Sequence, residues 1–384
     1  MKIGIFTDSY LPYTSGVVRS IETFTEELTN TGHEVFIFAP SYRNCCQESS
    51  RVFRFSSIPS PTNPDFTLAV PFSIRLRPTI KKLDLDLIHV HSPFLLGRVG
   101  ARYARKLGIP LVFTYHTLYE EYVHYIPVAK SITKELAQKI SRIFCNHCDA
   151  VIVPTGVIGQ YLREIGVRVP INVVPTGIKV AEFQAGDPDW LRCRYNLPPG
   201  EKILLFVGRL GQEKNIGFLM DCFQEVNKEI ADTRLVLVGS GPEEEDLKNR
   251  ANDLGIAGKV TFTGVMPPSE VVNCYAGATM FVFSSVTETQ GIVITEAKAA
   301  GLPVVAVRAF GVSEMVQNEI DGYLTELDRQ QFIEKIKLLL TDHGLYQQMS
   351  QRARQNAERL STANCTAMLV SCYQQLLENL PIAK

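Results

Sequence analysis

Short apolar runs alternate with segments of helical spacing along the whole chain. Between the first two runs, apolar residues at positions 17, 18, 21, 24 and 28 have the period of an amphipathic helix. Strands that alternate with helices in this way indicate parallel sheets. The predicted strands lie at 2–7, 34–39, 87–91, 111–115, 150–154, 203–207, 235–238, 280–283 and 303–306. The pattern therefore predicts an α/β fold.

The alternation is interrupted once, between about residues 180 and 200, where Gly and Pro are frequent. A chain of 384 residues suits about two domains, and its ordinary globular composition excludes a disordered or fibrous protein. We predict two Rossmann-like parallel-sheet domains, at residues 1–185 and 186–365, followed by a last helix at 366–384.

Candidate chemistry is concentrated in the stretch 285–306. Glu288 and Glu296 stand eight residues apart, across a turn at Gly291 that opens a predicted helix. Glu288 is expected on the loop outside the carboxyl end of strand 280–283, and Glu296 about one and a half turns into the helix. N–H groups at a helix start favour a phosphate, which leaves the carboxylates to accept hydrogen bonds from hydroxyls. The arrangement predicts a sugar-nucleotide site, and the alternative is two solvated surface acids.

A second signal lies after strand 203–207, where a glycine turn carries Arg209 and Lys214 ahead of a predicted helix. Arg209 offers a bidentate fork and Lys214 a mobile point charge, and together they can neutralise a diphosphate. A further glycine turn at Gly239 follows strand 235–238 and permits close backbone approach to a ligand. Solvated cations on a turn and an ordinary Gly-Ser-Gly-Pro loop are the alternatives.

Taken together, these motifs resemble the GT-B retaining glycosyltransferases of the group 1 type, also called glycosyltransferase family four. The motifs are Gly208–Arg209 with Lys214, residues 238–243, and Glu288 with Glu296, and the resemblance covers essentially the whole chain. It implies an amino-terminal acceptor domain and a carboxyl-terminal nucleotide-sugar domain that face each other across a cleft. It also implies that the last helix, around residues 365–380, crosses back to the first domain.

The resemblance assigns roles to these residues. Arg209 and Lys214 would hold the diphosphate, Glu296 the ribose hydroxyls, and Glu288 a hydroxyl of the transferred sugar. Backbone amides around Gly291 would face the sugar and phosphate, and Val265 would lie near the base. Gly16 ends the first loop without a side chain, so its backbone can approach the diphosphate. The expected donor-binding set is Gly16, Arg209, Lys214, Gly239, Val265, Gln290, Gly291, Ile292, Val293 and Glu296.

His116 is the catalytic candidate in the first domain, beside Glu288 in the second. It follows strand 111–115, and the strand ends of open sheets face the ligand crevice. Its imidazole or a neighbouring backbone carbonyl is expected to contact the primary hydroxyl of the sugar or the nucleophile. Histidines at strand ends are more often structural. The resemblance favours a functional role for His116 but not for His89 or His91.

The chemistry implied by the family is transfer with retention at the anomeric carbon, with the leaving phosphate helping to take the proton. A hydrolase that uses Glu288 and Glu296 as acid and nucleophile is rejected, because Glu296 is placed for ribose. The donor segment holds no Asp-x-Asp motif, so we expect no metal ion or other cofactor. Cys145 and Cys148 have the spacing of half a zinc site, but no second half completes it.

The acceptor is predicted from two segments, 7–17 and 114–126, which resemble those of bacterial diacylglycerol glucosyltransferases. This likeness implies glucose transfer from UDP-glucose to 1,2-diacylglycerol. A transferase acting on a soluble sugar, a cyclitol or a polyprenyl-linked glycan is the alternative. Two less favoured alternatives are a protein that binds a nucleotide sugar without transferring it and a nucleotide-sugar epimerase.

Charge supports a lipid partner. Residues 1–180 carry 20 Lys and Arg against 14 Asp and Glu, whereas residues 181–384 carry 19 against 26. In segment 71–83 cations alternate with apolar residues, which suits an anionic membrane surface, although a solvated basic face is the alternative. Nucleic acid is not expected, because no recognition motif accompanies the charge. The predicted acceptor or membrane residues are Phe72, Arg75, Arg77, Lys81, Lys82, Tyr119 and Tyr122.

The sequence also indicates a compartment. No apolar run approaches the roughly 18 residues of a membrane span, and the first residues lead into a strand rather than a signal peptide. Nine scattered cysteines fit free thiols in a reducing compartment. We therefore expect a cytoplasmic protein, peripheral on the inner face of the cell membrane. No feature indicates an oligomeric state.

Overall fold

A computed structural model describes residues 1–43, 49–60, 66–72, 76–121 and 134–379. The chain divides into two compact units. The first unit comprises Met1–Gly177 together with Thr362–Lys384, and the second comprises Ile178–Ser361. Each unit is an α/β domain built on a parallel sheet, which confirms the predicted fold class.

The first unit is built on a seven-stranded sheet. Its strands are β1 (Lys2–Phe6), β2 (Glu34–Pro40), β3 (Val52–Phe55), β6 (Leu87–Val90), β7 (Leu111–Thr114), β8 (Ala150–Val153) and β9 (Ile171–Val173). Their order is β3-β2-β1-β6-β7-β8-β9, and neighbouring strands are parallel. Two short strands, β4 (Ser57–Pro59) and β5 (Thr67–Ala69), form a separate antiparallel pair.

Helices follow the strands of the first unit. They are α1 (Gly16–Asn30), α2 (Leu76–Leu83), α3 (Leu95–Leu107), α4 (Lys134–Cys145), α5 (Gly156–Glu164) and, from the end of the chain, α15 (Thr362–Glu378). A 3-10 turn lies at Tyr119–Glu121. Helix α1 illustrates how the sequence specifies an element. Ser15 caps it by accepting the N–H of Val18 at 3.3 Å, and its apolar side chains are buried at helical spacing.

The second unit is built on a six-stranded parallel sheet. Its strands are β10 (Lys202–Val207), β11 (Thr233–Val238), β12 (Val260–Gly264), β13 (Met280–Phe283), β14 (Val304–Val307) and β15 (Gly322–Thr325). The order is β12-β11-β10-β13-β14-β15. Its helices are α6 (Val180–Gln184), α7 (Trp190–Tyr195), α8 (Ile216–Glu229), α9 (Glu244–Asp253), α10 (Pro268–Gly277), α11 (Ile292–Ala299), α12 (Val312–Met315), α13 (Arg329–Thr341) and α14 (His343–Glu358). The 3-10 turns are Gln212–Lys214 and Ala257–Lys259.

Both sheets reverse their strand order beside their first strand. In the first unit β1 lies between β2 and β6, and in the second unit β10 lies between β11 and β13. Open α/β sheets bind ligands at such switch points, outside the carboxyl ends of the strands. The loops after β1 and β6, and those after β10 and β13, are therefore the places where the chemistry of each unit is expected.

No helix in the described part of the chain is both long and apolar enough to cross a membrane.

Candidate functional site

The loops after β10 and β13 meet at the switch point of the second unit. Lys214 ends the 3-10 turn after β10, and its Nζ donates to Oε1 of Glu288, on the loop after β13, in an ion pair. Both side chains are largely buried, with exposed fractions of 14% for Lys214 and 18% for Glu288. The structure thus brings together a cation and a carboxylate that the sequence placed 74 residues apart.

Two buried serines hold this turn in place. Ser284 follows β13 directly, and its hydroxyl donates to the carbonyl oxygens of Lys214 at 2.7 Å and Asn215 at 3.0 Å. The hydroxyl of Ser285 donates to the carbonyl oxygen of Glu213 at 3.1 Å. Because these bonds attach the turn to a central strand, the Lys214 side chain starts from a fixed backbone position.

Helix α11 begins immediately beyond this loop, as the sequence predicts. Gly291 precedes it in the left-handed region, at φ 82°, where a side chain would be strained. Gln290 is buried, and Ile292 and Val293 in the first turn are half-buried. The N–H groups of a helix start have no intrahelical acceptors, so this end of α11 suits an anion beside Lys214.

Glu296 lies on α11 and is only 1% exposed. Its Oε2 accepts a hydrogen bond of 2.8 Å from the hydroxyl of Tyr275, which is fully buried on α10. The ring of Tyr275 packs edge-on against Phe183, with centroids 5.6 Å apart. Sequence reasoning missed Tyr275, because a tyrosine among apolar helical residues carries no signal that distinguishes it from core. A phenol therefore orients the carboxylate that is predicted to bind ribose.

A buried ion pair anchors the same helix from its other side. Lys298 Nζ lies 2.5 Å from Asp321 Oδ2 and donates to the carbonyl oxygen of Met315 at 2.8 Å. Asp321 Oδ1 accepts the N–H of Gln317 at 2.8 Å, and Asn356 donates to Oδ2 at 2.8 Å. Burial lowers the pKa of Lys298 despite this carboxylate. Because both charges are almost fully buried, the pair fixes α11 within the unit.

The remaining predicted donor residues of this unit lie at the carboxyl ends of β10, β11 and β12. Arg209 is exposed on the loop after β10, and Val265, directly after β12, is 76% exposed. Gly239 has φ 126°, and a Cβ there would stand 2.1 Å from the carbonyl oxygen of Gly208. Backbone packing between two loops thus requires a glycine at position 239, independently of any role in ligand binding.

In the first unit, His116 lies just beyond the end of β7 and pairs with a second histidine. His91 follows β6, and its Nδ1 stands 2.8 Å from Nε2 of His116. The two rings are nearly parallel, with centroids 5.1 Å apart. Loss of hydration lowers the pKa of His116 to about 3, and burial beside two other imidazoles lowers that of His91 well below its usual value. Both rings are therefore neutral at physiological pH.

His89 completes the cluster of imidazoles. Its Nδ1 lies 2.6 Å from the hydroxyl of Tyr373 on α15, and its Nε2 lies 2.6 Å from the hydroxyl of Thr114. The ring of His89 is 4.2 Å from that of His91. Sequence reasoning gave His89 and His91 no functional weight. Their spacing of two residues in the predicted strand 87–91 was the available signal, since alternate residues of a strand share a face of the sheet.

Asp8 occupies the switch point of the first unit, after β1. Its Oδ1 accepts the N–H of Leu96 at 2.8 Å, and its Oδ2 accepts a hydrogen bond from the hydroxyl of Ser92. Burial raises the pKa of this carboxyl, against the opposing effect of its hydrogen bonds. Asp8 thus ties the loop after β1 to the start of α3, and sequence reasoning did not select it as a site residue.

The other predicted residues of the first unit differ in their surroundings. Gly16 is the first residue of α1, and a Cβ there would meet no atom within 4 Å. Tyr119 is half-buried and packs edge-on against Phe94 at 5.1 Å and Tyr115 at 5.6 Å. Packing therefore does not require a glycine at position 16. Tyr119, in contrast, is part of an aromatic cluster with Phe94 and Tyr115.

The predicted membrane residues lie on and before α2. Leu76 and Ile80 bury one side of this helix, whereas Arg77, Lys81 and Lys82 are exposed. Phe72 is 73% exposed just before it. Arg75 and Tyr122 lie outside the described residues. Across the described ranges, no group of three or more His, Cys, Asp or Glu side chains could hold a metal ion.

Comparison with known proteins follows the division into two units. The family model described as "Glycosyl transferases group 1" matches residues 191–356, and that described as "Glycosyltransferase Family 4" matches residues 14–182. An alpha-monoglucosyldiacylglycerol synthase of Streptococcus pneumoniae is 36% identical over 330 residues, which cover 84% of this chain and 75% of that protein. The synthase of the same name from Acholeplasma laidlawii is 31% identical over 318 residues, 79% of this chain and 80% of that protein.

Among solved structures, sucrose-phosphate synthase of Thermosynechococcus elongatus superposes with a TM-score of 0.81. The alignment covers 98% of this chain and 99% of that chain, at 22% sequence identity. At that identity the superposition establishes a shared fold.

Proposed function

This chain belongs to the GT-B glycosyltransferases of group 1, and from this membership we propose that it is a retaining hexosyltransferase. The proposed reaction moves glucose from UDP-glucose to 1,2-diacylglycerol. The proposal of a diacylglycerol acceptor rests on one observation. Over about four-fifths of its length, the chain shares more than 30% sequence identity with two proteins named alpha-monoglucosyldiacylglycerol synthase.

The proposed donor site is the cluster at the switch point of the second unit. Arg209, Lys214 and the start of α11 bind the diphosphate, because each offers N–H donors or positive charge. Glu296, oriented by Tyr275, accepts hydrogen bonds from the ribose hydroxyls. Glu288 accepts one from a hydroxyl of the sugar. Lys214 and Glu288 also contact each other, so binding of the donor through both side chains would replace that ion pair with contacts to the substrate.

The proposed chemistry needs little from the protein except position and charge. The hydroxyl oxygen of the acceptor bonds to the anomeric carbon on the face from which the diphosphate leaves. The bond from that carbon to the phosphate oxygen breaks, and the proton of the hydroxyl passes to the leaving phosphate, which departs as UDP. The cations and the start of α11 stabilise the charge that develops on the diphosphate, so no metal ion is required. His116 contacts a sugar hydroxyl or the acceptor.

The proposed acceptor side is the first unit, working at the inner surface of the cell membrane. Exposed Arg77, Lys81 and Lys82 attract anionic lipid headgroups, and the exposed ring of Phe72 inserts between acyl chains. Tyr119 lines the entrance for the lipid. This placement gives the enzyme access to a membrane acceptor from the cytoplasm.

A direct test uses purified protein, radiolabelled UDP-glucose and vesicles that contain an anionic lipid, with and without diacylglycerol. We expect label in the chloroform phase only with diacylglycerol, and undiminished transfer in EDTA. Release of UDP without labelled lipid when inositol phosphate or a simple sugar is added would replace the lipid with a soluble acceptor. UDP-glucose binding without UDP release under any condition would indicate a binding protein instead.

A further inference from the structure

The pairing of His91 with His116 restricts where each ring can carry its proton. A neutral imidazole has one N–H and one bare nitrogen, so a contact between two neutral rings needs a donor on one and an acceptor on the other. The atoms in contact are Nδ1 of His91 and Nε2 of His116, 2.8 Å apart. Two arrangements satisfy this contact, and they differ in the nitrogen of His91 that is left over.

The left-over nitrogen decides between the two arrangements. Nε2 of His91 is buried, and it has no hydrogen-bond partner in the part of the chain that the structure describes. If His116 were the donor, this buried nitrogen would carry an N–H without an acceptor. If His91 donates from its Nδ1, its Nε2 carries no proton and is an acceptor without a donor. Among buried backbone groups in proteins, an N–H without an acceptor is rarer than an oxygen without a donor, and the same preference favours His91 as the donor.

The backbone supports a fixed role for His91. Its N–H donates to the carbonyl oxygen of Phe6 at 2.9 Å, so the residue continues the pairing of β6 with the central strand β1. The side chain is 3% exposed and packs against the ring of His89, which is itself held by two hydroxyls. A ring enclosed on these sides cannot readily turn to exchange its nitrogens.

We propose that His91 is a positioning residue that holds His116 in the tautomer with its proton on Nδ1. His116 Nε2 then accepts from His91, and its Nδ1 can act only as a donor. In transfer, a role that rests on the proposed function, His116 donates a hydrogen bond to a substrate oxygen and takes no proton from the acceptor hydroxyl. The proton therefore goes to the leaving phosphate.

The tautomer is measured directly on the wild-type chain by NMR with 15N-labelled histidine. Long-range proton–nitrogen correlations at neutral pH distinguish a protonated Nδ1 from a protonated Nε2, and the His116 signals are those missing from His116→Gln. We expect a protonated Nδ1 and a bare Nε2 for His116. The reverse pattern would overturn the proposal, and this measurement needs neither activity nor a known acceptor.

Variants of His91 test its causal role. The side-chain amide of Asn can place an N–H near the position of Nδ1, so His91→Asn should keep the His116 tautomer, whereas His91→Leu should lose it. Tyr373→Phe is the matched control, because it removes a hydrogen bond from the same buried cluster without touching the contact between His91 and His116. An unchanged His116 tautomer in a folded His91→Leu protein would refute the positioning role.

Kinetics complete the test. We expect His91→Leu to lower kcat about 10- to 100-fold, as loss of a group that orients a functional histidine typically does, with donor KM changed less than about threefold. His91→Asn should recover most of kcat. Equal losses in the Asn and Leu variants, at similar melting temperatures, would mean that His91 has only a packing role. A wild-type chain with the expected NMR pattern but no lipid transfer would reject the proposed function and leave the tautomer standing.

Discussion

At the scale of single residues, the second unit pairs groups that are predicted to bind different parts of one ligand. Lys214 is expected to bind the diphosphate and Glu288 the sugar, yet they form an ion pair with each other. The pair gives each of these two largely buried charges a partner of opposite sign. A ligand that offers only the diphosphate takes Lys214 and leaves Glu288 without its cation.

This arrangement predicts opposite effects of Glu288→Gln on two ligands. Removing the carboxylate takes away an anion that competes with phosphate for Lys214, so UDP should bind as tightly as before or more tightly. Transfer should fall by about 100-fold or more, because the contact with the sugar is lost in the transition state. Calorimetric titration with UDP and a transfer assay measure both, with Glu334→Gln as an exposed control in the same unit. Weaker UDP binding in Glu288→Gln would contradict the competition.

Tyr275→Phe tests how the ribose carboxylate is held. The change deletes the hydroxyl that donates to Glu296 at 2.8 Å and leaves the buried ring in place. Loss of one hydrogen bond to a buried charged group should lower the unfolding free energy by about 1.5–3 kcal/mol and weaken UDP-glucose binding. Urea unfolding and donor titration provide the two values.

Tyr346→Phe is the matched control for this change. It deletes a hydroxyl that donates to the carbonyl oxygen of Thr279 at 3.0 Å, in the same unit but not at Glu296. It should lower stability without weakening donor binding. Equal affinity for UDP-glucose in Tyr275→Phe and the wild-type chain would show that Tyr275 does not position Glu296.

At the scale of elements, periodicity in the sequence predicted most of what forms. The strands β10, β11 and β13 and the turn at Gly291 before α11 all lie where apolar runs and glycine place them. These elements are local, because hydrophobic period and backbone freedom decide them over a few residues. Their succession also indicated the parallel sheets.

Contacts between elements could not be predicted in the same way. His91 and His116 are 25 residues apart, and Tyr275 and Glu296 are 21 apart. Each contact depends on the directions in which two elements present their side chains after packing, which hydrophobic period does not specify. The sequence therefore indicated candidates such as His116 and Glu296 but not the residues that orient them.

The contact between Gly239 and Gly208 leads to a prediction about how the loops after β11 and β10 pack together. In Gly239→Ala the new Cβ would stand 2.1 Å from the carbonyl oxygen of Gly208, at a φ that side chains rarely adopt. We expect the unfolding free energy to fall by about 2 kcal/mol or more, from strain and overpacking. Urea unfolding measures the change. Gly258→Ala is the control, since a Cβ there meets no atom within 4 Å, and comparable losses in both would exclude loop packing as the cause.

At the scale of the whole molecule, the predicted GT-B architecture of two Rossmann-like domains is confirmed by the two parallel sheets and by the superposition on a solved structure. The near-neutral total charge hides a basic first half and an acidic second half. The fold does not require this asymmetry, because the two sheets are built from apolar strands. It is instead expected to act on partners, by attracting anionic surfaces to the first half.

Membrane attraction predicts that charge position matters more than total charge. Each Lys near an anionic bilayer contributes about 1 kcal/mol, so Lys81→Glu with Lys82→Glu should weaken vesicle binding by roughly 30-fold or more. Lys228→Glu with Lys248→Glu makes the same change in net charge in the second unit and should leave binding nearly unchanged. Sedimentation with vesicles of rising anionic lipid content, repeated at high salt, separates the two variants, because salt screens only the electrostatic part. Equal losses in both would show that net charge, and not the exposed face of α2, drives association, whereas a loss confined to the α2 variant would locate the membrane-facing surface on that helix.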